Sequence, residues 1–242
     1  MIELKNVTKS YNKSIKAVDD LTLEIRKGEI FGFLGPNGAG KTTTIKMITG
    51  ITNADSGEIL IDGVNIKTNP LACKKNFGYV PDNPDMFLRL KGIEYLNFMA
   101  EIFNVPSSER KKRIEELCDR FEMEGSLSSN IQSYSHGMRQ KIVLIGVLIH
   151  KPSNWILDEP MTGLDPKSSH VLKQMMKEHT SEDKSVFFST HVLEVAEKLC
   201  DRVGIINKGK LLFCGTYDEI KAKFNEEASL ENIFLEITDD DK

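Results

Sequence analysis

The sequence predicts an α/β fold built on a mostly parallel sheet, and three features of the 242-residue chain support this prediction. A short apolar run, Ile30 to Leu34, leads directly into a glycine-rich loop. After residue 153, strand-like segments alternate with helix-like segments, which is typical of a parallel sheet. Between these regions the apolar residues have helical spacing, which predicts a helical subdomain inserted into the core.

Composition limits the classes of protein to which the chain can belong. A hydrophobic content of 40% is enough to build one large α/β domain. The formal net charge of -4 offers no excess of positive charge for nucleic acid, so we expect no nucleic-acid partner. The four cysteines lack metal-binding or redox spacing, which favours a reducing, cytoplasmic compartment. The longest apolar run, Ile142 to Ile149, is too short to cross a bilayer.

The N-terminal third alternates short apolar segments with turn signals, which predicts strands around the glycine-rich loop. The predicted strands are Ile2 to Val7, Leu21 to Ile25, Ile30 to Leu34 and Glu58 to Ile61. We expect an antiparallel β-subdomain in this N-terminal region.

The middle third begins after Pro81-Asp82-Asn83-Pro84, where two prolines interrupt regular structure. Apolar residues in Gly92 to Phe103 recur at three- and four-residue steps, and Ser107 opens another candidate helix. A further helix is predicted from about Gly137 to His150, because Lys151-Pro152 stops it. These helices define the expected subdomain at about residues 83–150.

The last third returns to alternating strands and helices. The predicted strands are Ser153 to Leu157, Val186 to Ser189 and Val203 to Ile206, and the predicted helices are Pro166 to His179 and Val192 to Leu199. We expect one large domain over residues 1–225 and a C-terminal extension, 226–242, that ends in a solvated acidic tail.

The loop after Leu34 has the sequence G-P-N-G-A-G-K-T, the phosphate loop of P-loop nucleotide hydrolases. Its glycines let successive backbone N–H groups point at a polyphosphate, and the following helix adds the positive end of its dipole. Lys41 supplies a charge for the β- and γ-phosphates, and the Thr42 hydroxyl can bind Mg²⁺. The predicted nucleotide-binding residues of the loop are Gly35, Pro36, Asn37, Gly38, Ala39, Gly40, Lys41, Thr42 and Thr43.

A second acidic element completes the predicted active site. The apolar run Trp155-Ile156-Leu157 delivers Asp158 and Glu159 at the carboxyl end of a strand, the edge where parallel sheets place their ligands. We assign Asp158 to the Mg²⁺ environment. Glu159 is predicted to accept a proton from an attacking water.

The order of these motifs resembles the nucleotide-binding subunit of an ATP-binding cassette (ABC) transporter. Further matching motifs are the signature Tyr134-Ser135-His136-Gly137-Met138, the short loop Thr162-Gly163-Leu164-Asp165, and the switch histidine His191. The resemblance implies that Tyr11 stacks on adenine with Val18 beside the base or ribose, and that His191 contacts the γ-phosphate or the attacking water. It also implies that Asp165 lies in a loop between two paired subunits.

The resemblance carries expectations about cofactors and partners. Ser135, His136 and Gly137 are expected to close on ATP bound by a second ATPase cassette, which gives two composite sites in a head-to-tail pair. ATP and Mg²⁺ are the expected cofactors, and a separate transmembrane permease is the expected partner. The form Ser-x-Gly-Met-Arg-Gln resembles stand-alone ATPase subunits of exporter-like systems, which lie on the cytoplasmic face of the membrane.

The chain departs from the family pattern at two motifs. Asp82 stands where the family usually has a glutamine; it can accept a bond from a metal-bound water, and Asn83 beside it can supply the missing amide. His136 replaces the first signature glycine. We also expect a helical segment from Asp82 to Phe103 to contact the membrane subunit.

Two other functions remain open from the sequence. One is an ATPase of the same superfamily that is not coupled to transport. The other is a GTPase or small-molecule kinase, but Asn207-Lys208-Gly209-Lys210 has Lys210 where a guanine-specific motif needs a carboxylate.

Overall fold

The computed structural model describes residues 1–11, 15–224 and 231–234. The strands are β1 (Ile2–Tyr11), β2 (Ile15–Ile25), β3 (Ile30–Leu34), β4 (Ser56–Ile61), β5 (Val64–Asn65), β6 (Phe77–Val80), β7 (Asn154–Asp158), β8 (Ser185–Thr190), β9 (Arg202–Asn207) and β10 (Lys210–Gly215). The helices are α1 (Lys41–Ile48), α2 (Pro70–Asn76), α3 (Gly92–Ile102), α4 (Ser107–Phe121), α5 (His136–Leu148), α6 (Pro166–Ser181), α7 (Leu193–Leu199) and α8 (Tyr217–Phe224). Within the described ranges, none of these helices has the length and apolar character needed to span a bilayer.

The strands form two sheets. The N-terminal sheet has the order β2-β1-β4-β5 and is antiparallel throughout. The larger sheet has the order β10-β9-β3-β8-β7-β6, and its strands are parallel except for β10. The predicted fold class is therefore confirmed: an α/β core with a mostly parallel sheet and an antiparallel N-terminal subdomain.

The parallel sheet buries both of its faces, as strands in such sheets do. Phe31 and Phe187 lie on the face toward the N-terminal sheet, where their ring centroids are 6.1 Å apart. Alternate residues such as Trp155, Leu157 and Phe188 pack on the opposite face with the helical residues of a second core. Both cores hold the parallel strands in fixed positions.

The parallel arrangement brings three strand ends to one edge of the sheet. Leu34 at the end of β3 pairs with Thr190 at the end of β8, and Asp158 at the end of β7 pairs with Ser189. The phosphate loop, the acidic pair and the switch histidine all follow these ends directly. This edge therefore carries the candidate site.

Several elements differ from the sequence expectation. The first two strands are longer than predicted, and α2 and β10 were not predicted at all. The expected helical segment from residue 82 was wrong in its first part, because residues 81–91 are irregular and α3 begins only at Gly92. Two features shape this irregular stretch. One is its pair of prolines, and the other is an Asx turn in which Asn83 Oδ1 accepts from the Asp85 amide at 2.9 Å.

The described part of the C-terminal extension packs against the core. Ile233 is fully buried and lies in a cluster with Ile205 and Ile220. The acidic tail that the sequence predicts lies outside the described residues.

Candidate functional site

The phosphate loop connects β3 to α1 in a tight path that only small residues allow. Gly38 and Gly40 have φ values of 81° and 112°, in the left-handed region that favours glycine. Gly40 is the N-cap of α1, and no side chain caps the helix there. The first N–H groups of α1 are therefore available to an anion, and the helix dipole favours one.

Lys41 is held against its own loop. Its side chain is 7% exposed, and Nζ donates to the carbonyl oxygen of Gly35 at 2.6 Å. Glu159 Oε1 lies 3.9 Å from Nζ. Burial lowers the pKa of Lys41, whereas the charges of Glu159 and Asp158 act in the opposite direction. The Lys41 ammonium is therefore buried against the loop backbone, close to the acidic pair.

A cleft of about 210 Å³ gathers most of the phosphate-loop residues together with Asp82 and Glu159. Its lining consists of Ala17, Pro36, Asn37, Gly38, Gly40, Lys41, Thr42, Thr43, Asp82 and Glu159. Asp82 thus reaches the phosphate loop from the end of β6, as the sequence interpretation requires. The cleft is polar and open to solvent, which suits a charged ligand.

Asp158 has the environment of a metal ligand. It is 1% exposed, and its Oδ1 accepts a hydrogen bond of 2.6 Å from the Ser189 hydroxyl. Its other oxygen, Oδ2, is buried without a hydrogen-bond partner. Burial raises the pKa of Asp158, while the hydroxyls of Ser189 and Thr42 favour the charged form. A carboxylate oxygen without a partner beside a threonine hydroxyl matches the oxygen ligands that Mg²⁺ prefers.

Glu159 is held in an uncommon backbone conformation. Its φ of 48° is unusual for a residue with a side chain, and such strain concentrates at functional sites. Its Oε2 lies 3.0 Å from Nδ1 of His191, and its side chain is 14% exposed. The structure thus places the Lys41 ammonium near one oxygen of the Glu159 carboxylate and the His191 imidazole near the other.

The signature segment lies at the start of another helix. The Ser135 side chain caps α5 by accepting from the Met138 amide at 3.3 Å. Ser135 and His136 are exposed, and among the described residues they do not line the cleft that holds Lys41. A Cβ atom at Gly137 would lie 2.7 Å from the carbonyl oxygen of Gly163, so this position needs glycine.

Asp165 connects the signature helix with the loop that precedes α6. Its Oδ1 accepts from the Ser168 amide at 2.8 Å and so caps α6. Its Oδ2 forms an ion pair of 2.8 Å with Lys141 on α5. These partners, with Lys141 first, hold the pKa of Asp165 well below its usual range.

Two predicted adenine contacts are placed differently from each other. Tyr11 is 46% exposed at the end of β1, so a base can reach its ring, and the Lys9 ammonium lies over the ring 5.8 Å from its centroid. Val18 is fully buried, and its side chain lies next to Gly40 of the phosphate loop. The Val18 side chain thus packs against the phosphate loop, and its contact with the base or ribose stays a prediction.

Sequence reasoning missed two residues that organise this site. Ser189 contacts both acidic residues, and Lys141 pairs with Asp165. The sequence offered one signal for Ser189, its position two residues before the switch histidine. Nothing in the spacing of Lys141 and Asp165 indicated their contact.

Comparison with known proteins agrees with this geometry. The family described as ABC transporter matches residues 18–162, more than half of the chain. The linearmycin resistance ATP-binding protein LnrL of Bacillus subtilis (strain 168) is 33% identical, over 96% of this chain and 74% of its own length.

Two solved structures have the same fold. An ATP-binding subunit of an ABC transporter superposes with a TM-score of 0.94 at 32% identity, covering 98% of this chain and 99% of the other. A dimeric bacterial ABC transporter cassette, MJ0796, superposes with a TM-score of 0.82 at 25% identity, covering 89% of this chain and 98% of the other.

The phosphate loop, the acidic pair and the signature helix thus occur together in a chain whose fold and sequence match the same group of proteins. The chain belongs to the ABC transporter family, as an ATP-binding subunit that hydrolyses ATP with Mg²⁺.

Proposed function

We propose that this chain powers an exporter-like transporter by hydrolysing Mg-ATP in the cleft between its phosphate loop and its acidic pair. The observation that carries the proposal is the convergence of Lys41, Asp158 and Glu159 at one edge of the sheet, with His191 bonded to Glu159. This arrangement combines a phosphate cation, a metal ligand and an oriented base.

The phosphate loop binds the triphosphate. The loop N–H groups and the N-terminus of α1 contact the phosphate oxygens, and Lys41 leaves the Gly35 carbonyl to reach the β- and γ-phosphates. Thr42 and Asp158 would hold Mg²⁺, and the side chain of Asp82, or of Asn83 beside it, would bond to a water of the metal. When bound, Mg²⁺ neutralises the charge that builds up on the phosphate oxygens. Tyr11 stacks on the adenine.

Glu159 acts as the general base. Its carboxylate accepts the proton of the water that attacks the γ-phosphate. His191, on one side of the carboxylate, fixes its orientation, because Nδ1 is 3.0 Å from Oε2. The exposed imidazole also reaches toward the γ-phosphate, so one residue links the base to the substrate.

The complete site needs a second cassette. Ser135, His136 and Gly137 stand at the N-terminus of α5, outside the cleft of their own chain. Helix N–H groups and a hydroxyl at that position suit a γ-phosphate presented by a partner. The two chains therefore pair head to tail, with Asp165 between them, and each seals the ATP held by the other.

The division of the chain follows from this role. Residues 1–225 form the ATPase domain, with the helical subdomain at about 83–150 carrying the signature to the partner cassette. Residues 226–242 form a C-terminal extension. The subunit binds the cytoplasmic face of the membrane through a separate permease.

Export is favoured over an uncoupled ATPase by two lines of support. The linearmycin resistance relative is named for resistance, which fits removal of a compound from the cell. The chain also exposes apolar side chains on α3, where Phe98 and Ile102 are 43% and 53% exposed. Exposed apolar side chains of this kind are typical of a contact with a partner protein.

The contact with the permease is centred on α3. A groove of about 230 Å³ runs beside this helix and is lined in part by Ile51, Tyr79, Met99 and Phe103. In the irregular stretch before the helix Phe87 is exposed, but Met86 and Leu88 are partly buried against the core. The docking surface is therefore narrower than the whole segment from Asp82 to Phe103.

Charge substitution on α3 tests the coupling. Ile102→Asp and Phe98→Asp are expected to lower co-purification with the permease at least tenfold, and to remove the stimulation of ATPase activity by transported substrate. The isolated chain should keep its basal activity. Leu212→Asp is a matched control, because Leu212 is 36% exposed but lies on β10. Unchanged co-purification and transport in both α3 variants would remove the proposed docking surface.

A further inference from the structure

One buried hydroxyl touches both acidic residues of the site. Ser189 is fully buried on β8, directly opposite Asp158 in the parallel register. Its Oγ donates to Asp158 Oδ1 at 2.6 Å. The same Oγ accepts from the backbone amide of Glu159 at 3.0 Å. A serine hydroxyl has one donor and two acceptor positions, so both bonds are compatible.

These two bonds have different consequences. The bond to Oδ1 fixes the rotation of the Asp158 carboxylate and leaves Oδ2 buried without a hydrogen-bond partner. The Thr42 hydroxyl is close enough to Asp158 to lower the pKa of the carboxyl. The bond from the Glu159 amide stabilises the left-handed backbone at that residue, where φ is 48°. A left-handed conformation is unfavourable for a residue with a side chain, so this turn needs support from its surroundings.

We propose that Ser189 is a positioning residue that sets the metal-binding carboxylate and the general base relative to each other. It contacts neither ATP nor the attacking water. Its hydroxyl keeps Asp158 Oδ2 free for Mg²⁺ and holds the backbone turn that directs Glu159 toward His191. The inference rests on the proposed roles of Asp158 and Glu159, and it adds the residue that couples them.

The same pair of strands supplies a matched control. Ser185 lies on β8, is also fully buried, and donates to Asn154 Oδ1 at 2.6 Å. Asn154 pairs directly with Ser185 at the other end of β7, just as Asp158 pairs with Ser189. Ser185→Ala therefore removes an equivalent buried hydrogen bond at the sheet edge away from the site.

The experiment measures metal binding separately from turnover. Binding of Mn²⁺ in the presence of a non-hydrolysable ATP analogue is followed by electron paramagnetic resonance, and nucleotide binding is measured without metal. Ser189→Ala should weaken Mn²⁺ binding about 10- to 100-fold, the usual effect of losing a partner of a metal ligand. Turnover should fall at least as much, and metal-free nucleotide binding should stay as in the wild type. Ser185→Ala should match the wild type in all three measurements.

A second variant of Ser189 keeps the test informative. Ser189→Cys keeps the side-chain size and replaces the hydroxyl by a weak donor, so the same loss is expected if the alanine variant does not fold. The inference is overturned if the Ser189 variants bind Mn²⁺ as tightly as the wild type, or if Ser185→Ala loses as much. A wild-type chain that neither binds the Mn²⁺ complex nor hydrolyses ATP would instead contradict the proposed function.

Discussion

At the scale of single residues, the site is assembled but not in its catalytic arrangement. Lys41 donates to the Gly35 carbonyl at 2.6 Å, so it must exchange this bond for phosphate oxygens when ATP binds. Glu159 is already oriented by His191 through a contact of 3.0 Å. The carboxylate proposed as the base is therefore already oriented, whereas the Lys41 ammonium is bonded to its own loop.

The first prediction concerns the base. Glu159→Gln keeps the shape of the side chain but cannot accept a proton, so steady-state ATP turnover should fall about 10²- to 10⁴-fold. ATP affinity should stay near the wild-type value, because Lys41 and the loop are unchanged. Glu197→Gln, an exposed substitution on α7, is the control and should turn over normally. Near-normal turnover in Glu159→Gln would contradict the assigned role.

The sequence specified the site residues better than their contacts. The spacing of the phosphate loop and of Asp158-Glu159 placed these groups at one sheet edge, because parallel strands end together. Burial was harder to predict: Val18, which the sequence places beside the base or ribose, is a fully buried residue of β2. The role of Ser189 depends on register between β7 and β8, which no local pattern encodes.

At the scale of elements, Asp165 in the short loop before α6 joins the two helices α5 and α6. Asp165 caps α6 through the Ser168 amide and pairs with Lys141 on α5 at 2.8 Å. The Lys141 side chain is only 12% exposed. The ion pair therefore links the signature helix α5 to the loop that precedes α6.

The second prediction tests this link. Asp165→Ala removes the cap and the ion pair, and should lower the free energy of unfolding by about 1–2 kcal/mol in urea denaturation. Asp165→Asn keeps a capping side chain but loses the charge that attracts Lys141, so its loss should be smaller. Equal stability of both variants and the wild type would show that the link does not contribute.

The elements that escaped prediction share weak local patterns. Helix α2 has seven residues and buries only Cys73, so it shows no apolar periodicity. Strand β10 follows a two-residue turn at Lys208-Gly209 and lies at the sheet edge, where half of its side chains face solvent. Residues 81–91 contain apolar residues but also two prolines, which disfavour a helix there. The longer helix α5 was predicted within a few residues, because Lys151-Pro152 marks where it stops.

At the scale of the whole molecule, burial of histidine makes stability depend on pH. His179 is 7% exposed and stacks on Trp155 with ring centroids 4.2 Å apart. Burial, reinforced by the charge of Lys184, lowers the pKa of His179 to about 4, against smaller opposite effects of the Ser153 carbonyl and Glu182. The unfolded chain therefore binds more protons than the folded chain between about pH 4 and the usual histidine value near 6.5.

The third prediction follows from this difference. The stability due to neutral His179 is complete above about pH 6.5 and is lost as the pH falls toward 4, by on the order of 3 kcal/mol. His179→Gln should flatten the decrease in free energy of unfolding between pH 7 and pH 4.5. His170→Gln, which removes an exposed imidazole from the same helix, is the control. An unchanged slope in His179→Gln would contradict the prediction.

The central claim at this scale is that two chains close head to tail around ATP. The most direct measurement is the mass of Glu159→Gln by size-exclusion chromatography with light scattering, with ATP and Mg²⁺ and without them. The account predicts twice the mass of one chain only with both, and a single-chain mass for the double variant Ser135→Glu, Glu159→Gln, because a carboxylate at the signature repels the γ-phosphate. A Glu159→Gln chain that binds ATP and Mg²⁺ yet keeps the mass of one chain would contradict the account.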